Sequence, residues 1–162
     1  MIGSTPVLRG VVIVTNTADF AAVFVTLYVA HSVGDHWVQT HHQACAKGAP
    51  TMAGRLACLR HVATLTIIKA VAFVALALAT GLTAEPLPLL AGLAVDALSH
   101  YWADRRTTLA RLAELIGKGD FFRMGLPRPG TDDAPHLGTG AYALDQSWHV
   151  GWLFIAALII TA

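Results

Sequence analysis

Long apolar stretches, each broken near one end by histidine and in three of the four by aspartate as well, organise this chain. Residues 19–39 form the first, where Asp19 reads as a helix N-cap ahead of the apolar run from Phe20 to Ala30. The second covers residues 52–79 and stops at Gly81, a residue that readily takes the left-handed conformation in which helices end. Between Val62 and Leu78 its polar members are Thr64, Thr66 and Lys69. The third stretch starts after Glu85 and Pro86 and reaches Asp104, and the fourth runs from Tyr142 to the C-terminus. Each approaches the roughly 20 residues that cross a bilayer core, and none alternates with the two-residue period of a half-buried strand.

Between the third and fourth stretches the pattern changes. A short amphipathic helix is expected over residues 107–116, with Leu109, Leu112, Leu115 and Ile116 on one face. A loop rich in Gly and Pro follows over residues 117–140, with Pro127, Pro129, Gly130, Gly138 and Gly140. No internal repeat is visible. Helices joined by short turns alternate in direction, so the expected fold is all-α: an up-down four-helix transmembrane bundle forming a single domain over residues 1–162. Residues 1–18 read as a leader and 105–140 as a cytoplasmic helix and loop. A cleaved signal peptide is not expected, because Thr15, Asn16, Thr17 and Asp19 interrupt the apolar stretch that follows Arg9.

The polar residues inside the apolar stretches are spaced for one face of a helix. His31, Asp35 and Gln39 are four apart, as are Asp96, His100 and Asp104, and as are Asp145 and His149, while His61 stands near the start of the second stretch. In an up-down arrangement these groups arrive at the same end. Buried charge is costly unless paired or metal-bound. Imidazole with carboxylate suits Zn, with Mn or Fe as alternatives. The expected metal ligands are His31, Asp35, His61, His100, Asp104, Asp145 and His149. Seven candidates exceed the four of one zinc, which favours two ions. Gln39 and Asp96 are one turn away and suit a supporting role, orienting a ligand. A single His and Asp pair on a helix is ordinarily a hydrogen-bonded couple, and it is the repetition across segments that points to metal. His36, His41 and His42 read as interfacial or loop residues, and His136, beside Asp132 and Asp133, as solvent-exposed.

Composition sharpens the membrane expectation. Hydrophobic residues make up 55% and charged residues 13%, where an ordinary soluble domain carries about 25% charge. Cys45 and Cys58 form no CxxC pair and read as free thiols in a reducing compartment. The formal net charge is +1, but its distribution is lopsided. Lys47, Arg55, Arg60, Arg105, Arg106, Arg111, Lys118, Arg123 and Arg128 fall at the His/Asp end, against Arg9 at the other. The positive-inside rule then places the metal end at the cytoplasmic face of the inner membrane, with both termini on the opposite side. Trp37, Trp102 and Trp148 sit near the same boundary.

These motifs carry a resemblance. HSVGDHWVQ from His31 to Gln39, the His61–Val62 pair, SHYWADRR from Ser99 to Arg106 and LDQSWH from Leu144 to His149 resemble a bacterial and phage family of small helical membrane proteins of unknown function. The likeness runs from Val29 to the C-terminus. The segment through Pro127 to Gly130 and Gly138 to Gln146 resembles the family's actinobacterial and actinophage branch. The resemblance implies that His100 and Asp104, as His-x3-Asp, rank above Asp96 as ligands. A looser similarity is to membrane-bound metal-dependent hydrolases and, more remotely, to the all-helical zinc phospholipase C and nuclease group. From the latter the chain departs, since no N-terminal Trp is available as a ligand.

The function expected from the sequence is a membrane-embedded metal-dependent hydrolase of a phosphate ester, nucleotide-like or lipid-linked. Cationic residues around two metals suit an anionic, phosphate-bearing substrate, with metal-activated water as attacker. Asp35 or Asp145 is the expected base, and Gln39 and Lys69 the expected contacts to substrate or developing charge. The expected partners are the lipid bilayer and that substrate; sequence-specific nucleic-acid binding is not expected. Two alternatives are a non-catalytic membrane protein with a structural or regulatory metal site, and an ion-handling protein. The latter requires polar residues to continue to the far end, where few are found.

Overall fold

A computed structural model describes residues 16–126 and 138–162, and among these residues every regular element is helical. The leader up to Thr15, and Arg128, Asp132, Asp133 and His136 in the long loop, lie outside the described residues.

Helix α1 spans Thr17–Val33. Its N-cap is Asn16 rather than Asp19: the Asn16 Oδ1 accepts from the Ala18 N–H at 2.9 Å, and Asp19 falls in the first turn, where a negative charge meets the positive end of the helix dipole. The chain does not continue as an α-helix to Gln39. Residues Gly34–Val38 widen into a π turn, closed by Gln39 N–H on Gly34 O at 3.0 Å. Gly34 is needed there, because a Cβ would lie 2.3 Å from Leu65 Cδ1 on the neighbouring helix.

The connection read from sequence as a plain turn contains a short helix, α2, His41–Ala46. It is nucleated by a capping box in which Thr40 Oγ1 accepts from Gln43 N–H and the Gln43 side chain accepts from Thr40 N–H. Helix α3 spans Met52–Thr80, is capped by Thr51, and ends at Gly81 with φ 76°, in the left-handed region the sequence pattern called for. Helix α4, Pro86–Asp104, opens on a proline in its first turn, where a missing N–H costs nothing.

Helix α5, Thr107–Leu115, buries Leu109 and Ala113 but leaves Leu115 and Ile116 exposed. The single face expected for Leu109, Leu112, Leu115 and Ile116 is therefore narrower, because Leu115 lies well round the helix from Leu109. A further short helix, α6, Gly119–Arg123, stands where an unbroken loop was expected. Its C-terminal end packs on the start of α7, Gly140–Ile160, with Met124 O accepting from Gly140 N–H at 2.8 Å.

The four long helices form a closed ring of neighbours: α1 packs on α3 and α7, and α4 packs on α3 and α7. The apolar core gathers Val23 from early α1, Phe73 from late α3, Leu93 from early α4, and Leu153, Ala156, Ala157 and Ile160 from α7. Helices α1 and α4 therefore run away from this core, while α3 and α7 run towards it. Small residues let α4 and α7 approach closely: a Cβ on Gly92 would meet Ile160 Cγ1 at 2.5 Å and Ala156 O at 2.8 Å.

Among the described residues, three helical segments are long and apolar enough to cross a membrane: Thr17–Val38, Met52–Thr80 and Gly140–Ile160. The last carries the full length that the residues after His149 alone would lack. Helix α4 is not among them, since Asp96, His100 and Asp104 fall within its 19 residues. Large apolar side chains lie on the surface as well as in the core, while several histidines lie inside. Leu78, Leu87 and Leu98 are 84%, 77% and 73% exposed, whereas His31, His61 and His100 are each 1% exposed.

Candidate metal centre

Each long helix delivers ionisable side chains to the end opposite the apolar core. His31 comes from the last turn of α1 and Asp35 from the π turn beyond it. His61 lies in the first half of α3, His100 and Asp104 in the last two turns of α4, and Asp145 and His149 in the first half of α7.

At the centre, His61 Nε2 faces His100 Nε2 at 3.1 Å. The same His61 nitrogen lies 3.1 Å from Asp35 Oδ1 and 3.4 Å from Asp104 Oδ2. His100 Nε2 is 3.1 Å from Asp104 Oδ2. The His100 and His149 rings stack with centroids 3.9 Å apart, and His31 packs at 5.4 Å from His100 and 5.1 Å from His149. His149 Nε2 lies 4.0 Å from Asp104 and 3.5 Å from Asp145.

This geometry brings together two sets of possible ligands, Asp35 with His61 and His100, and His100 with Asp104 and His149, each within 4.8 Å. Both include His100. The donor chemistry fits a divalent cation. A shared proton satisfies one nitrogen–nitrogen or nitrogen–oxygen contact at a time, whereas a cation accepts lone pairs from all of them. Several buried polar atoms also lack a hydrogen-bond partner: both ring nitrogens of His31 and His100 Nδ1. Leaving such atoms unsatisfied costs about 1–3 kcal/mol each.

Of the expected ligands, His31 and Asp145 stand at the margin. His31 is in ring contact with the cluster, while Asp145 is 27% exposed at its side chain and faces a cavity. That cavity, of about 660 Å³, reaches the cluster through Asp35 and Asp104 and is walled by Gln39, Arg106, Tyr142 and Gln146. His36, read from sequence as interfacial, also lines it and lies 3.2 Å through Nε2 from the Tyr142 hydroxyl.

Lys69 is not in that lining. Its ammonium donates to Asp96 Oδ2 at 2.5 Å, and both residues are buried deeper between α3 and α4. The pairing occupies both side chains, so the geometry gives Lys69 no contact with a molecule in the cavity and Asp96 no hydrogen bond to a histidine.

Two residues of the site carried no signal in the spacing pattern. Lys47, just after α2, sends its ammonium 2.8 Å from Asp104 Oδ1 and 3.7 Å from Asp35 Oδ1. Its backbone is held from the far side, because Arg105 donates to Lys47 O at 2.5 Å and to Ala49 O, and Arg106 donates to Ala44 O at 3.0 Å. Gln146 Nε2 bridges Asp35 at 3.4 Å and Asp145 at 3.3 Å. The signal available for Lys47 was electrostatic: two buried carboxylates require positive charge nearby, and Lys47 stands in the connection at that end. Cys45 and Cys58 are free, as expected, and neither belongs to the two ligand sets.

The chain belongs to the family described as Protein of unknown function (DUF3307), whose model matches residues 23–162. No curated protein and no solved structure matches it.

Proposed function

We propose that this chain is a membrane-embedded, metal-dependent hydrolase of a phosphate ester, built as an up-down four-helix transmembrane bundle with two divalent metals, zinc foremost, at its cytoplasmic end. The observation that carries the reading is the meeting of four buried histidines with Asp35 and Asp104, next to a cavity that also holds Lys47 and Arg106. Imidazole and carboxylate supply the ligands, and two cations suit a phosphate. The concentration of Lys and Arg at this end supports a cytoplasmic orientation.

His61, His100, His149, Asp35 and Asp104 would hold the metals, with His31 beside them. Bound divalent metals supply Lewis acidity and a more acidic water at neutral pH. The chain's own residues do the rest. Lys47 and Arg106 bind the phosphoryl oxygens from the cavity side. Asp145, partly open to the cavity and held by Gln146, would accept the proton that water loses as its oxygen bonds to phosphorus, and return it to the leaving oxygen as the ester P–O bond breaks. Lys69, paired with Asp96, neutralises charge beneath the site.

A second reading, a metal that only clamps the helices, draws on the near-complete burial of His31, His61, His100 and His149. A through-pathway for ions is disfavoured by the apolar core, where Phe73, Leu93, Leu153 and Ile160 close the far end. The discriminating experiment is elemental analysis of protein purified without chelator, followed by a panel of phosphomonoesters, diesters and nucleotides with His100→Ala as control. Expected are about two ions per chain and metal-dependent release of phosphate or alcohol that the variant abolishes. Stoichiometric metal with no cleavage across the panel would overturn the hydrolase reading in favour of the clamp.

A further inference from the structure

A second concavity lies beside the candidate site and is used by none of its chemistry. It is an apolar groove of about 360 Å³ between α5 and α7, lined by Leu112, Ile116, Trp148, Gly151, Trp152 and Ile155. We infer that this groove holds the hydrocarbon chain of an amphiphilic substrate whose phosphate head occupies the polar cavity, so that the site acts on a phospholipid-like molecule rather than a soluble nucleotide. The inference rests on the phosphate-ester reading of the polar cavity and narrows it.

Continuity comes first. Leu109 lines both the polar cavity and the groove, so the two spaces border a common residue. Charge is the second argument. Lys47 and Arg106 stand in the polar cavity, while among the described residues lining the groove none is charged. An occupant spanning both therefore has an anionic end and an uncharged one. The third argument is access. Ile155 and Ile116 line the groove and are themselves exposed, alongside the exposed Phe154 and Leu158 of α7. That outer face belongs to a segment apolar enough to cross a membrane, so the groove opens sideways onto the surface that lipid would cover. A peptide strand would find little there to satisfy its backbone N–H and C=O groups, whereas an alkyl chain needs none.

Space is also left open inside the groove. A Cβ placed on Gly151 meets nothing within 4 Å, so a side chain can start from this position without a clash at its first atom. Replacing glycine by leucine within a helix also favours the helical state. Gly151→Leu therefore fills the groove, and Gly151→Ala fills it in part.

The test uses the full chain in dodecyl maltoside micelles. With Trp37 and Trp102 replaced by phenylalanine, Trp148 and Trp152 report groove occupancy through quenching of their fluorescence by phosphatidic acid bearing a doxyl group on its acyl chain, against phosphatidylcholine bearing the same chain. Expected is half-maximal quenching by the phosphatidic acid at about tenfold lower mole fraction. That preference should shrink in Gly151→Ala and vanish in Gly151→Leu, with helical circular dichroism retained in both. Equal quenching by the two lipids, or an unchanged preference in Gly151→Leu, would overturn the inference, since the groove would then hold only bulk detergent and lipid. The readout requires no turnover: phosphatidic acid that binds selectively but is never cleaved defeats the hydrolase reading while leaving the lipid site standing.

Discussion

The same four helices enclose two different interiors. At one end Val23, Phe73, Leu93, Leu153 and Ile160 pack with the small residues Gly92, Ala156 and Ala157, and nothing in that core cluster is ionisable. At the other end the positions facing inward include His31, His61, His100, His149 and Asp104, each with further ionisable groups among its neighbours. Between the two sits Lys69 with Asp96, a complete ion pair that ends the polar stack before the apolar core begins. The apolar end owes its cohesion to close packing, which tolerates no added volume. The polar end would lose stability if left to packing alone, because imidazoles and carboxylates taken out of water require a partner for every lone pair. At the polar end, the proposed metals would supply the partners that packing cannot.

The largest expected effect comes from breaking the polar interior at its shared residue. His100→Ala removes the ring common to both ligand sets, and metal content together with any hydrolytic rate should fall by about 100-fold or more, read by elemental analysis and initial rates. Next is the boundary pair. Lys69→Met alone leaves Asp96 buried without its cation and should cost about 3–5 kcal/mol. Combining it with Asp96→Leu should recover most of that loss in thermal unfolding, and failure of the double variant to recover would show that the pair serves the metal centre rather than its own neutralisation. At the apolar end, Gly92→Leu should force α4 and α7 apart and cost about 1–3 kcal/mol while leaving the metal stoichiometry unchanged. Lys47→Met should retain the metal and raise KM for a phosphate substrate about tenfold, because the ammonium faces the cavity as well as Asp104. The smallest effect belongs to Arg123→Ala, whose partners Glu114 and Asp120 are solvent-exposed, and no measurable shift in Tm is expected.

Much of this contrast is legible in the sequence. The long helices declare themselves as apolar runs, with Gly81 and Pro86 marking a stop and a start. The four-residue spacing of His100 with Asp104 and of Asp145 with His149, with His61 near a helix start, already places them at one level, and the structure brings them there. What the pattern hid has local physical reasons. Helices α2 and α6 are too short for hydrophobic periodicity to register, and the former depends on the Thr40 and Gln43 capping box. The Lys69–Asp96 pair is a matter of depth between opposed helices. Lys69 stands two turns beyond His61, about 12 Å along α3, and Asp96 one turn before His100, about 6 Å along α4. The length of the lysine side chain makes up the difference, so a residue that looked available for substrate is spent on a carboxylate. Lys47 was legible only as one of the cations at that end; its approach to Asp104 depends on the Arg105 and Arg106 contacts that hold its backbone, and these join parts of the chain far apart in sequence.

The widened turn at Gly34–Val38 accommodates one residue more than a regular helix would. Winding the same residues as regular α-helix, without the widened turn, would carry everything downstream about 100° further around the helix axis. Thr40, the start of α2 and finally Lys47 would then leave along a different bearing, and the ammonium would point past the carboxylates it now serves. A surplus of one residue, admitted because Gly34 presents no side chain to Leu65, thus sets where a charge lands a dozen positions later.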